Sequence, residues 1–167
     1  VLFFLPAQSQ SIDEDIKNFQ KLDGLIPLYQ DGTTGKIYLR LSQSGEAPDH
    51  FGRYLYGHGL TSGLGSNPIG LDRGLGSGTE IISFEKIGPK LFIRAENSFY
   101  RASADNDAEK RAVRSSFASS ILWAGEIAVI EGNEILVNIT DVLLRDATGI
   151  AAQIKARGQG SFSLDKG

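Results

Sequence analysis

Two histidines, a few serines in a glycine-rich stretch and one adjacent Asp-Arg pair are the residues of this chain whose types suit chemistry. His50 and His58 stand eight apart with no glutamate between them, so they fit neither an H-E-x-x-H helix nor the usual zinc-ligand spacings. The even interval would place both on one face of an extended strand, with Asp49 nearby; a metal site is one reading, and surface or loop histidines the other. A serine nucleophile in a strand-helix elbow needs G-x-S-x-G, and Ser62, Ser66 and Ser77 all lack the flanking glycines. The chain has no cysteine, which removes a thiolate nucleophile, a disulfide framework and a thiolate zinc site. On these residues the chain is expected neither to cleave peptides nor to hold stoichiometric zinc by itself.

Glycine recurs at Gly57, Gly59, Gly63, Gly65, Gly70, Gly74, Gly76 and Gly78. Consecutive backbone N–H groups in glycine turns can cradle anions, but the spacing is wrong for it. Gly65 to Gly70 has the P-loop gap and then continues Leu71-Asp72 instead of Lys-Ser/Thr, and after Gly57-His58-Gly59 the third glycine arrives one residue late, at Gly63. A flexible tether would be rich in Ser and polar residues, whereas Leu60, Leu64, Ile69, Leu71 and Leu75 punctuate this stretch. The pattern predicts a long ordered loop of the Ω type, leucines inward and several glycines at positive φ. Gly63, Gly65, Asn67, Gly70, Asp72, Arg73 and Gly74 are its candidate docking or structural residues. Asp72 and Arg73 read as a buried ion pair clamping the loop rather than as a catalytic acid.

The elements that must position this loop follow from pattern. Leu25–Tyr29 and Lys36–Leu41 flank Asp31-Gly32 and Thr34-Gly35, a hairpin whose second strand buries Ile37, Leu39 and Leu41. Phe51–Tyr56 reads as a strand entering the glycine stretch. Thr79–Lys86 and Lys90–Ala95 form a second hairpin across Ile87-Gly88-Pro89, with 97–102 as its continuation. Ser11–Asp23 is a short helix or ordered lead-in. From Asp105 the period turns helical: Asn106 caps, and Ala108, Ala112, Val113 and Phe117 make the inward stripe, with Lys110, Arg111 and Arg114 on the solvated side. Ser119–Ile130 carries Trp123 as a core anchor. Ile135–Thr140 is a strand, Thr140 or Asp141 caps a helical pattern through Leu143, Leu144, Ile150 and Ile154 to Gly158, and Ser161–Leu164 is a last short strand.

At 167 residues the chain suits one domain, and it can bury about 70% of its unfolded surface without a disulfide or metal. Seventeen basic against 20 acidic residues, with no long charge run, argue against a nucleic-acid surface. Nothing approaches the roughly 20 apolar residues of a membrane span. The chain opens on Val1 and contains no methionine, so it is expected to be a piece of something longer. Residues 1–10 read as the remnant of a signal peptide, with Ala7 and Ser9 as the small residues before a cleavage site, the other reading being a short buried strand, and 11–167 as a single accessory domain.

Several stretches together resemble a known family: Gly24–Tyr29 with Thr34–Leu39, Thr61–Gly74, Phe99–Ala102, Ala112–Ala118 with Ile121-Leu122-Trp123, Asp141–Ala147 and Gly160–Lys166. The chain is similar, from about Phe19 on, to the N-terminal domain of unknown function in large bacterial, secreted or periplasmic zinc-dependent metalloproteases of metzincin-like type. The resemblance implies a metallopeptidase parent whose zinc and H-E-x-x-H motif lie downstream in a separate catalytic domain, with no catalytic or metal residue carried by this chain.

The expected fold is therefore α+β, antiparallel hairpins in a curved sheet with two helical segments packed on it. The leading functional expectation is a non-catalytic accessory domain that packs on, or controls access to, the downstream catalytic domain, with self-association when that partner is missing. Two alternatives stay open: a peptide- or glycan-binding module using Tyr54 and Tyr56 beside the glycine loop, and an enzyme whose glycine loop binds an anion.

Overall fold

The structure is a computed structural model and describes residues 11–45, 47–63, 72–74, 76, 78–97, 100 and 106–161. The leader read at 1–10, most of the continuation at 97–102 and all but Ser161 of the final strand lie outside them.

Helix α1 (Ile12–Ile16) precedes strands β1 (Gln20–Leu22), β2 (Leu28–Gln30), β3 (Ile37–Ser42) and β4 (His50–Tyr56). Beyond the glycine stretch come β5 (Glu80–Ile87), β6 (Lys90–Ala95), α2 (Asp107–Ser116), β7 (Ser120–Glu131), β8 (Glu134–Asn138), α3 (Thr140–Leu143) and α4 (Ile150–Ala156). The strands make one open sheet in the order β1-β2-β3-β8-β7-β6-β5-β4. From β1 through β2, β3 and β8 to β7 every pairing is antiparallel, so the expected α+β class holds. Among the described residues no helix is long and apolar enough to cross a membrane. The described residues pack as two units, one drawn from Val1–Gly52, Ser83–Arg94 and Ile121–Thr140, the other from Arg53–Ile82, Ala95–Ser120 and Asp141–Gly167.

The first unit holds most of the buried core. Leu39 lies opposite Val137 and Leu41 opposite Ile135, so these four share one face of the sheet, and all are buried. Leu136 and Tyr38 turn to the other face, where Ile12, Ile16, Val129, Phe19 and Tyr29 gather on them. β8 thus runs Ile135-Leu136-Val137 without alternation because both of its faces are covered. Its hairpin with β7 closes through Gly132 at φ 56, a conformation glycine adopts without strain. A bulge between Ile127 and Val129 sets Ile127 opposite Val137 but Val129 opposite Leu136. The extra residue bends β7 and switches Val129 onto the face covered by α1.

Helix α1 has only five residues, too few to persist without packing. Its two isoleucines are buried, each contributing about 1.5–3 kcal/mol. Glu131 Oε2 accepts from the Ile12 N–H at 2.8 Å. Arg40 bridges Asp13 of the helix and Glu134 of β8. The Arg40 guanidinium, then the Ser42 hydroxyl, hold the Glu134 carboxyl below its ordinary range.

The second unit is organised differently. Among the described residues, Ile82 is its one buried apolar side chain. Helix α2 begins where expected, with Asn106 Oδ1 accepting from the Ala108 N–H at 2.8 Å. Its inward stripe is corrected, however: Ala108 and Ala112 are exposed, and Glu109, Lys110 and Val113 are the half-buried positions. The helical pattern expected as one run to Gly158 is two helices, with Leu144–Gly149 between them. Asn138, not Thr140 or Asp141, caps α3, its Oδ1 accepting from the Thr140 N–H at 3.0 Å. Asp146 caps α4, its two carboxylate oxygens accepting from the Ile150 and Ala151 N–H groups, each at 2.8 Å. Trp123 lies on β7, and it is half-buried instead of anchoring the core.

Candidate functional site

The glycine stretch is tied at its neck. Gly59 and Gly76 form an antiparallel bridge, and the Gly74 N–H donates to the Leu60 carbonyl at 2.9 Å. Gly74 takes φ 86, where an L side chain is strained. A Cβ on Gly76 would stand 2.9 Å from the His58 carbonyl oxygen, closer than real Cβ atoms come to backbone. Two of these glycines are thus explained by local geometry: one by its φ, the other by close backbone approach. Gly63, Asp72 and Arg73 are exposed and Leu60 is half-buried. The buried Asp72–Arg73 clamp is therefore corrected to two solvated side chains. Gly65, Asn67 and Gly70, with Leu64, Ile69, Leu71 and Leu75, lie outside the described residues.

The histidines part company. His50 sits on β4 with Nε2 at 3.8 Å from Glu85 Oε1, and Glu85 Oε2 pairs with Arg94 Nε at 2.7 Å. His58 lies past the end of that strand, so the shared strand face does not form. Among the described residues no group of three or more His, Asp or Glu side chains is arranged to hold a metal ion.

Beside the neck, the second unit assembles a cluster of its own. Tyr56 ends β4, and its ring stands 5.6 Å from that of His58 at an interplanar angle of 42°. Arg145, at the break between α3 and α4, donates from Nη2 to the Tyr56 hydroxyl at 2.9 Å, with its guanidinium carbon 6.0 Å from the ring centroid. The Arg145 Nε–H is enclosed and has no acceptor, a shortfall of about 1–3 kcal/mol. The neighbouring Asp146 turns both its oxygens to the start of α4 instead. Sequence reading picks out Tyr56 as part of an aromatic strand but gives no signal for Arg145, a lone arginine after two leucines.

Several large apolar side chains of this unit are exposed. Leu143 and Leu144, immediately before Arg145, are 44% and 63% exposed, and Leu55 is 75% exposed. Tyr100 and Phe117 stack face to face at 3.8 Å and 9° while both remain exposed. Asn97 fixes Tyr100 by accepting from its N–H and donating to its carbonyl, each at 3.1 Å. Acids displaced from their ordinary range have structural causes elsewhere. The Thr34 hydroxyl and the Thr33 N–H hold Asp31 down in the first hairpin turn, and Arg40 holds Glu134.

No curated protein matches this chain. No solved structure matches it either. A family model does match residues 74–166, from the second half of the glycine neck through α2, β7, β8 and both C-terminal helices. That span is more than half of the chain, which therefore belongs to the family described as Domain of unknown function (DUF5117).

Proposed function

We propose that this chain is a non-catalytic accessory domain of a secreted or periplasmic bacterial zinc-dependent metallopeptidase, which packs on or controls access to a downstream catalytic domain. The observation that carries the reading is the second unit's imbalance. It presents α2, α3 and α4, yet among the described residues it buries one apolar side chain, Ile82, while Leu55, Tyr100, Phe117, Leu143 and Leu144 are exposed. Helices this short draw most of their stability from packing, and apolar surface left open in one place marks a contact site. The ordered resemblance to the metalloprotease N-terminal domains supplies the kind of partner, and the zinc belongs to that partner.

The gene sequence beyond Gly167 is the first test: the reading requires an H-E-x-x-H motif there, and its absence overturns it. The second is addition in trans. A catalytic domain that docks here, supplied at 100 times its dissociation constant, stabilises this chain by about 2.7 kcal/mol, or about 5–11 °C in melting temperature. An unchanged melting temperature at that excess points to an independent module on a tether.

A further inference from the structure

We infer that Arg145, Tyr56 and His58 form a recognition site for a carboxylate carried on an apolar peptide segment. The Nε–H and one Nη2–H of a guanidinium leave the same edge in parallel, the fork that matches the two oxygens of a carboxylate. On that edge of Arg145 the Nη2 group meets the Tyr56 hydroxyl at 2.9 Å and the Nε–H meets no acceptor. Arg145 is half-buried with its Nε enclosed, a placement that favours an acidic partner, and the acid next to it in the chain, Asp146, turns both its oxygens to α4. The Tyr56 oxygen, accepting from Nη2, keeps its own proton to donate. The edge therefore offers two donors, Nε–H and the phenol O–H, to one missing acceptor, and that acceptor is an anion.

Two features select a carboxylate on an apolar segment. Two donors, the Nε–H and the phenol O–H, match the two oxygens of one carboxylate, whereas a phosphate calls for more positive charge than one arginine supplies. Leu143 and Leu144 stand exposed immediately before Arg145, ready to cover apolar groups that flank the acid. The Nε–H is enclosed in this structure, so binding requires the side chains around it to rearrange, and the Tyr56 and His58 rings, 5.6 Å apart, report that change. Tyr56 supplies the second donor of the site. The site is independent of the accessory-domain reading, since it needs only this chain and an acidic peptide.

The test is a titration of the whole 167-residue chain with acetyl-Leu-Glu-Leu-amide, its Gln counterpart and sodium acetate at constant ionic strength. The readout is the NMR signals of the Tyr56 and His58 rings. The Glu peptide should shift both rings saturably and bind about tenfold or more tighter than the Gln peptide. Acetate should move the same signals at much higher concentration. Arg145→Gln should abolish the response, and Tyr56→Phe, which keeps the ring and removes the donor, should weaken it about threefold or more. Silent rings, equal affinity for the Glu and Gln peptides, or binding that survives Arg145→Gln would overturn the site. Acetate binding as tightly as the peptide would overturn the apolar-segment assignment. Should Arg145→Gln fail to fold, Tyr56→Phe decides, and an unchanged affinity in that variant counts against the proposal.

Discussion

Replacing Gly125 by alanine tests how β7 is packed, because two effects of opposite sign meet there. In an ordinary strand interior alanine is favoured over glycine by about 0.5–1 kcal/mol, since glycine loses more freedom on folding. At position 125 a Cβ would overlap Cη2 and Cζ2 of Trp123 and stand 3.1 Å from Cζ3. Residues 123 and 125 are two apart on β7, so they share a face, and the indole is laid along the strand over the residue that has no side chain. To admit a methyl group the ring must rotate away and give up its cover. Truncating a fully buried tryptophan costs about 3–5 kcal/mol. Trp123 is half-buried, so about half of that is at stake, and the backbone gain offsets part of it. The expected net loss is about 1–2 kcal/mol, or about 2–8 °C in melting temperature.

Trp123 is the chain's one tryptophan, so thermal unfolding can be paired with its emission, which should move to the red in Gly125→Ala. The control is the same change in a Trp123→Ala background. With the ring gone, alanine at 125 should be neutral or stabilising by up to about 1 kcal/mol, a coupling of about 2 kcal/mol between the two positions. Gly125→Ala at or above the stability of the parent chain, with unmoved emission, would refute the reasoning: the ring would not lie on Gly125.

Two further outcomes follow from the turns and the ion pairs. Gly74→Ala, at φ 86, should destabilise by more than about 1 kcal/mol, while Gly32→Ala, where a Cβ meets open space, should be neutral or slightly stabilising in the same melting assay. The Glu134 carboxyl is held below its ordinary range chiefly by Arg40, so its contribution is present above the unfolded value of about 4.3 and is lost as pH falls through the lower folded value. Glu134→Gln should therefore be less stable than the parent chain at pH 7 and converge with it in acid; a gap that is constant down to pH 3 would show that the pair contributes no pH dependence.

Features written in local chemistry are legible in the sequence, and features made by distant partners are not. Both hairpins announce themselves, one by Asp31-Gly32 and Thr34-Gly35, the other by Gly88-Pro89, because the turn residues carry the required dihedrals. Asn106 marks the start of α2 for the same reason. Which side of α2 faces inward is another matter: Phe117 stacks on Tyr100, and no helical period contains that pairing. The strand β1, Gln20-Lys21-Leu22, has no strand pattern and exists because β2 offers it a ladder. The long strand β7 hides its alternation behind the bulge at Ile127/Val129. The pattern through Leu143, Leu144, Ile150 and Ile154 has helical spacing, but it contains Asp146 and Gly149. Gly149 at φ 68 interrupts the helix, and Asp146 starts the next one. Of the candidate site, the sequence marks the glycines and Tyr56. It gives no mark to Arg145, whose importance comes from an acceptor that its own fold does not provide.

The two units solve the same stability problem by different means, and that difference bears on function. In the first, short elements are tied down by burial: α1 persists because Ile12 and Ile16 are covered and Arg40 bridges it to β8. In the second, the described helices rely on local devices. Asn106 caps α2, Asp146 supplies two acceptors to α4, and Gly158 at φ 64 follows the end of α4. Caps of this kind are worth about 1 kcal/mol each, enough to hold a short helix in register and far less than a core provides. A surface kept in shape by caps rather than by burial leaves its apolar side chains available. Leu143 and Leu144 stand open next to Arg145. The exposed leucines and the unanswered guanidinium N–H thus fall together at one place in the chain, Leu143 to Arg145.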